Sequence, residues 1–180
     1  MDLTLGPEET AVRDAIRNVV GRLNDGWRVA MATLSFERGT AFLAEQVRLS
    51  RRVDELVALA ETTPGPRGRR RAIDDDEIAR RLARARAEVD ALRAMTYRSV
   101  SLAARTGVPG AEASMIRLFF SELVQRIDLL AMDIQGAPAV DAPASRWTEL
   151  YLAGLSQTIG GGTKDIQRNI IGERVLGLPR

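Results

Sequence analysis

The sequence predicts an all-α protein, an antiparallel helical bundle, and three observations carry that expectation. Long stretches without glycine or proline repeat apolar residues three and four positions apart, the spacing of one helix face. Clusters of proline and glycine separate those stretches, at TTPGPRG, RTGVPG and QGAPAVDAPAS. Nowhere does a convincing alternation of apolar and polar residues mark a strand.

Each element follows in chain order. In MDLTLGPEETAVRDAIR, Pro7 with Glu8 and Glu9 behind it suits the first turn of a helix, where a missing N–H costs nothing and negative charge meets the positive end of the dipole. Asn24, Asp25 and Gly26 then give a turn signal. From Trp27 to Ala60 there is no proline and one glycine, Gly39, which predicts a single long helix with Val29, Phe36, Leu43 and Val47 among its recurring apolar positions. The acidic run DDDE opens the next helix, in which Ile78, Leu82, Ala85, Val89, Leu92 and Thr96 alternate spacings of four and three, a helix–helix seam. The third long helix, AEASMIRLFFSELVQRIDLLAMDI, is apolar at Met115, Leu118, Phe119, Leu123, Ile127, Leu130 and Ile134, a face wide enough to require burial on more than one side. A shorter helix runs from about Arg146 to Gln157 with Trp147, Leu150 and Tyr151. The last helix follows Gly160, Gly161 and Gly162, with Thr163 as its N-cap, Asp165 in its first turn, and Gly177 and Pro179 as stop signals.

Composition limits the chemistry. A chain of 180 residues with 45% hydrophobic and 28% charged residues has the make-up of one soluble domain. Lysine plus arginine exceeds aspartate plus glutamate only by 26 to 24, and Lys164 is the sole lysine, so a dedicated nucleic-acid binder is not expected. The short tract PRGRRR has no interleaved aromatics and is followed by acids that can neutralise it. With no cysteine and no histidine, thiolate chemistry is excluded and the commonest general base is absent, leaving carboxylates, hydroxyls, backbone or a cofactor. No stretch of about 18 apolar residues exists for a membrane span and the N-terminus lacks a signal pattern, so a cytoplasmic location is the expectation.

The three glycines pose the sharpest question. A helix N-terminus exposes free N–H groups, and glycines before it remove the side chains that would keep an anion or a flat ring system away. The same glycines serve equally well as a tight helix-to-helix turn. Both readings stand on the residues alone.

The stretch GGTKDIQRNIIGERVLGLPR resembles the C-terminal signature of acyl-CoA dehydrogenases. In the same order, NDGWRVAMATLSFERGT is similar to the start of that family's C-terminal helical domain and EASMIRLFFSELVQR to its third long helix. The resemblance covers about 19–180, and residues 1–18 resemble the family's first helix joined directly to it. It implies α,β-dehydrogenation of an acyl-CoA, with hydride passing to FAD and electrons leaving through an electron-transfer flavoprotein. In many members the base is the glutamate of a Tyr-Glu-Gly-Thr motif; here Gly161 occupies that position. A second group, like isovaleryl-CoA and long-chain enzymes, carries the base in a Leu-x-x-Glu-Arg pattern, which LSFER fits, so the resemblance implies Glu37 as catalytic base. The helical neighbours of Glu37, among them Ala30, Thr33, Leu34, Thr40, Ala41 and Ala44, include no cation at ion-pair spacing, so burial there would raise its pKa as proton abstraction near neutrality requires. Gly160, Gly161, Gly162, Thr163, Lys164 and Asp165 fall where the family's backbone meets the flavin, with Lys164 in place of the usual serine.

The resemblance also implies an absence. Family members carry an N-terminal helical domain and a middle β-domain before this one, and the sequence reads as a member with that middle removed. The expectation is an incomplete site needing another subunit, in a homo- or hetero-oligomer. The alternative is a non-catalytic helical oligomerisation module, the remnant of such an enzyme.

Overall fold

The computed structural model describes residues 25–27, 29–30, 42–106, 110–141 and 145–179. Among them there are five helices longer than a single turn and no strand: α1 (Phe42–Thr62), α2 (Asp76–Thr106), α3 (Ala113–Gln135), α4 (Arg146–Ser156) and α5 (Lys164–Arg174). One turn of helix, Pro138–Asp141, leads into α4. The expected all-α bundle is what forms. Glu37 and the N-terminal helix expected from Pro7 lie outside the described residues.

The chain order follows from local chemistry. α1 stops at Thr62 because Pro64 disfavours helical geometry in the residue before it, and the Thr62 hydroxyl donates to the Ala58 and Leu59 carbonyls. In the loop that follows, Arg67 pairs with Asp75 at 2.6 Å and Arg71 with Asp74 at 2.7 Å, so acids do neutralise two of the arginines of PRGRRR. Asp75 also caps α2, its Oδ1 accepting from the amides of Glu77 and Ile78. The Arg67 guanidinium, helped by those amides, holds the Asp75 carboxyl below the ordinary carboxylate range against the opposing effect of burial. α3 ends at Gly136, whose φ of 65° reverses the chain. Ser145 caps α4 by accepting from the Thr148 amide, and Thr163 caps α5 by accepting from the Ile166 amide.

α3 is the centre. It packs against α1 and α2 on one side and against α4 and α5 on the other, which is why its apolar face is so wide. Leu123, Ile127, Leu130 and Ile134 meet Leu49, Val53, Leu56, Leu82, Val89 and Leu92 in one core, and Phe42 meets Phe120 edge-on at 5.0 Å. All six stripe residues of α2, from Ile78 to Thr96, are buried as their spacing predicts.

The period of α1 is as expected but its phase differs. The buried positions are Phe42, Gln46, Leu49, Val53, Leu56 and Ala60, while Leu43 is half-buried and Val47 is 42% exposed. Gln46 takes the place an apolar residue was expected to hold because its Nε2 donates to the Leu43 carbonyl at 3.2 Å within the same helix, removing part of the cost of burying an amide.

Candidate functional site

The turn between α4 and α5 contains the three glycines, and its geometry settles why two of them carry no side chain. Gly161 and Gly162 have φ of 68° and 106°, the left-handed region in which a Cβ is strained. Space is lacking as well. A Cβ on Gly161 would sit 3.2 Å from Nε of Arg117, and one on Gly162 would sit 2.7 Å from Nε2 of Gln167. Gly160 is different, since a Cβ there would make only an ordinary contact with Arg117 at 3.6 Å. The turn is thus tight for reasons internal to the chain, as the second of the two sequence readings has it.

The carbonyls of the turn are held from the core side. Nη2 of Arg117, on α3, donates to the Gln157 carbonyl at 2.5 Å and also to the Gly160 carbonyl. Gln167, on α5 and 1% exposed, donates through Nε2 to the Gly161 carbonyl at 2.8 Å and to that of Gly162 at 3.4 Å. Its Oε1 is buried and has no hydrogen-bond partner among the described residues. The opposite side of the turn is open: Gly160, Thr163, Asp165 and Ile166 are exposed.

The remaining expected residues take structural partners. Lys164 reaches back to α3, where Nζ donates to Oε1 of Gln125 at 3.1 Å, so its charge lies along the α3–α5 contact. Asp165 accepts from Arg168 at 3.2 Å, and Arg168 also bridges to Glu122 on α3 at 3.1 Å. These contacts tie both ends of the segment from Gly160 to Lys164 to α3. Among the described residues no cluster of acids is placed to hold a metal ion, and no helix is long and apolar enough to cross a membrane.

A second buried polar group lies behind α4. Asp128, on α3 and fully buried, accepts from Nη1 of Arg52 at 2.7 Å, while its Oδ2 lies where a Cβ on Gly154 would come within 2.5 Å. Burial pushes the Asp128 carboxyl up to about 6, against the opposing pull of Arg52. This Arg52–Asp128–Gly154 contact joins α1, α3 and α4 at one point. Sequence reasoning missed it along with Arg117 and Gln167. A signal existed for the two on α3: Arg117 and Asp128 both fall on the buried stripe of an otherwise apolar helix face.

The residues on the open edge fit a flat, partly anionic cofactor such as FAD. From Gly160 to Gly162 the turn carries no side chain, the first turn of α5 adjoins it, and the buried Gln167 Oε1 behind it is an acceptor without a partner among the described residues.

Residues 24–176 match the family described as Acyl-CoA dehydrogenase, C-terminal domain. Acyl-CoA dehydrogenase IpdE1 of Mycobacterium tuberculosis is 44% identical over 169 residues, a match that covers 90% of this chain and 40% of that protein. The ChsE4–ChsE5 complex of Mycobacterium tuberculosis contains a chain with 30% identity and a TM-score of 0.70, matched over 87% of this chain and 42% of that one. The FAD complex of PigA shares the fold at a TM-score of 0.73 and 23% identity, over 88% of this chain and 40% of that one, so this fold accommodates FAD in a structural relative. The chain thus spans less than half the length of the relatives it matches.

Proposed function

We propose a function from one shown premise: this chain belongs to the acyl-CoA dehydrogenase family, as its C-terminal helical domain. It supplies the C-terminal half of an FAD-dependent site for α,β-dehydrogenation of an acyl-CoA, and further polypeptide supplies the rest. The observation that carries this reading is the α4–α5 turn, whose three glycines leave backbone without side chains just before α5 while Arg117 and Gln167 fix its inner face. When bound, FAD would accept the hydride from the β-carbon of the acyl group. The chain's own part is to present Gly160, Gly161, Gly162, Thr163 and the first turn of α5, including Lys164 and Asp165, to the cofactor. Glu37 is the proposed base, taking the α-proton on its carboxylate, since Gly161 stands where the other family group carries its glutamate.

Two observations support a partner. The ChsE4–ChsE5 relative is a complex of two named components. On this chain, Leu152, Leu155, Ile159, Ile166, Leu176 and Leu178 are all exposed along α4, the turn, α5 and the tail, a run of apolar side chains suited to cover by another polypeptide. Electron transfer to an electron-transfer flavoprotein belongs to the same reading.

The test is spectroscopic. The FAD-loaded protein, purified with whatever chain accompanies it, is expected to lose its oxidised-flavin absorbance on addition of a suitable acyl-CoA. Glu37→Gln is expected to retain the flavin and lose the bleaching. Bleaching that persists in Glu37→Gln would remove Glu37 as the base.

A further inference from the structure

Arg117 carries a charge into a place that charge avoids. It is 7% exposed, on α3, between Ile116 and the apolar Leu118 and Phe119. Desolvating a guanidinium is costly unless its donors are used well. Here Nη2 binds two carbonyls of one short segment, Gln157 just after α4 and Gly160 in the turn. A helix C-terminus leaves its last carbonyls without intrahelical partners and concentrates negative partial charge there, so a buried cation from a neighbouring helix suits it. The guanidinium also fills the side of Gly161 that a Cβ would occupy. Gln167 holds the next two carbonyls, so Arg117 fixes the entry to the turn and Gln167 its exit.

We propose that Arg117 is a positioning residue: from α3 it sets the backbone of the Gln157–Gly162 turn, and through that turn the placement of Thr163 and the start of α5 against the cofactor. This rests on the flavin reading above for its last step and on the turn geometry alone for its first. Arg117 touches neither substrate nor cofactor in this account. Both carbonyls accept from the one Nη2, whose two N–H groups are fixed in the plane of the guanidinium, a direction that the freely rotating ammonium of lysine does not hold.

Two readouts separate the steps. Hydrogen exchange on the chain without cofactor is compared for the parent, Arg117→Met and Arg117→Lys. Loss of a charge-assisted bond predicts exchange about tenfold faster or more across 157–163 in Arg117→Met, an intermediate change in Arg117→Lys, and unchanged protection in α2. Unchanged exchange at 157–163, or a rise of the same size in every helix, overturns the proposal. FAD affinity is then measured for the same three proteins, each purified with the polypeptide that completes the site, with about a tenfold loss expected in Arg117→Met and partial rescue in Arg117→Lys. A parent that takes up FAD while Arg117→Met binds it equally well overturns the cofactor step. A parent that takes up none defeats the flavin reading itself.

Discussion

Replacing Gly154 by valine is expected to destabilise the protein by about 3–5 kcal/mol, because the new Cβ displaces one partner of a buried ion pair. Gly154 lies in α4 with ordinary helical geometry, so backbone conformation does not forbid a side chain there. Helix propensity alone would favour alanine at this position by roughly 1 kcal/mol. Space decides the other way: the Cβ would meet Asp128 Oδ2 at 2.5 Å and Val124 Cγ1 at 3.5 Å. Asp128 cannot swing aside cheaply, since it is fully buried and its other oxygen is bound to Arg52. Urea unfolding of Gly154→Val, Asp128→Ala and the double variant checks this. The account expects the double variant to lose much less than the sum of the singles, a coupling of about 2 kcal/mol, since removing the carboxylate makes room for the new side chain. Additive losses would show that α4 does not close on Asp128.

The second large effect is on pH. The folded-state pKa of Asp128 is raised to about 6 from a reference of 3.8, so between those values the folded protein holds a proton that the unfolded chain has released. Stability therefore falls as pH rises from about 4 to about 6 and levels off above, by about 2–3 kcal/mol in all if the full shift is realised. Arg52 on α1 is the charged group bound to the carboxylate, and Glu45 and Arg48 line the same cleft. The paired Asp74 and Asp75, whose pKa values are lowered, act in the opposite sense and only on the acid side of the ordinary carboxylate range. Denaturant midpoints taken from pH 4.5 to 7 should fall for the parent and stay flat for Asp128→Asn, whose amide oxygen still accepts from Arg52. At pH 7 the asparagine variant is expected to be the more stable of the two. A parent curve that rises over this range would mean that Asp128 is held ionised by Arg52.

How much of this was legible beforehand depends on what each residue answers to. The α2 stripe was readable because every inward position from Ile78 to Leu92 is apolar, and the wide face of α3 correctly foretold partners on two sides. The caps at Thr163 and Ser145 act through contacts three residues away, and that at Thr163 was readable from sequence. The phase of α1 was not readable, because Gln46 is buried by means of a bond to its own helix and Val47 is left facing outward. The glycine turn was found as a feature but its cause was hidden, since Arg117 and Gln167 approach it from 43 positions earlier in one case and across a helix turn in the other. Charge pairs such as Arg52 with Asp128 are separated by 76 positions and leave no local pattern. A resemblance to acyl-CoA dehydrogenases reached the family that the match over 24–176 shows, and it remains the source of the proposed role of Glu37.

The most direct measurement is equilibrium binding of FAD to the protein purified together with the polypeptide that completes its site, followed by flavin fluorescence and by retention through gel filtration, for the parent and Gly162→Val. Valine at a position with φ of 106°, with its Cβ 2.7 Å from Gln167 Nε2, distorts the turn at its narrowest point. Saturable uptake of FAD by the parent, lost in a variant that keeps its helical content, is the predicted result. A well-folded parent that retains no FAD at saturating concentration contradicts the claim that this turn and the start of α5 form part of a flavin site.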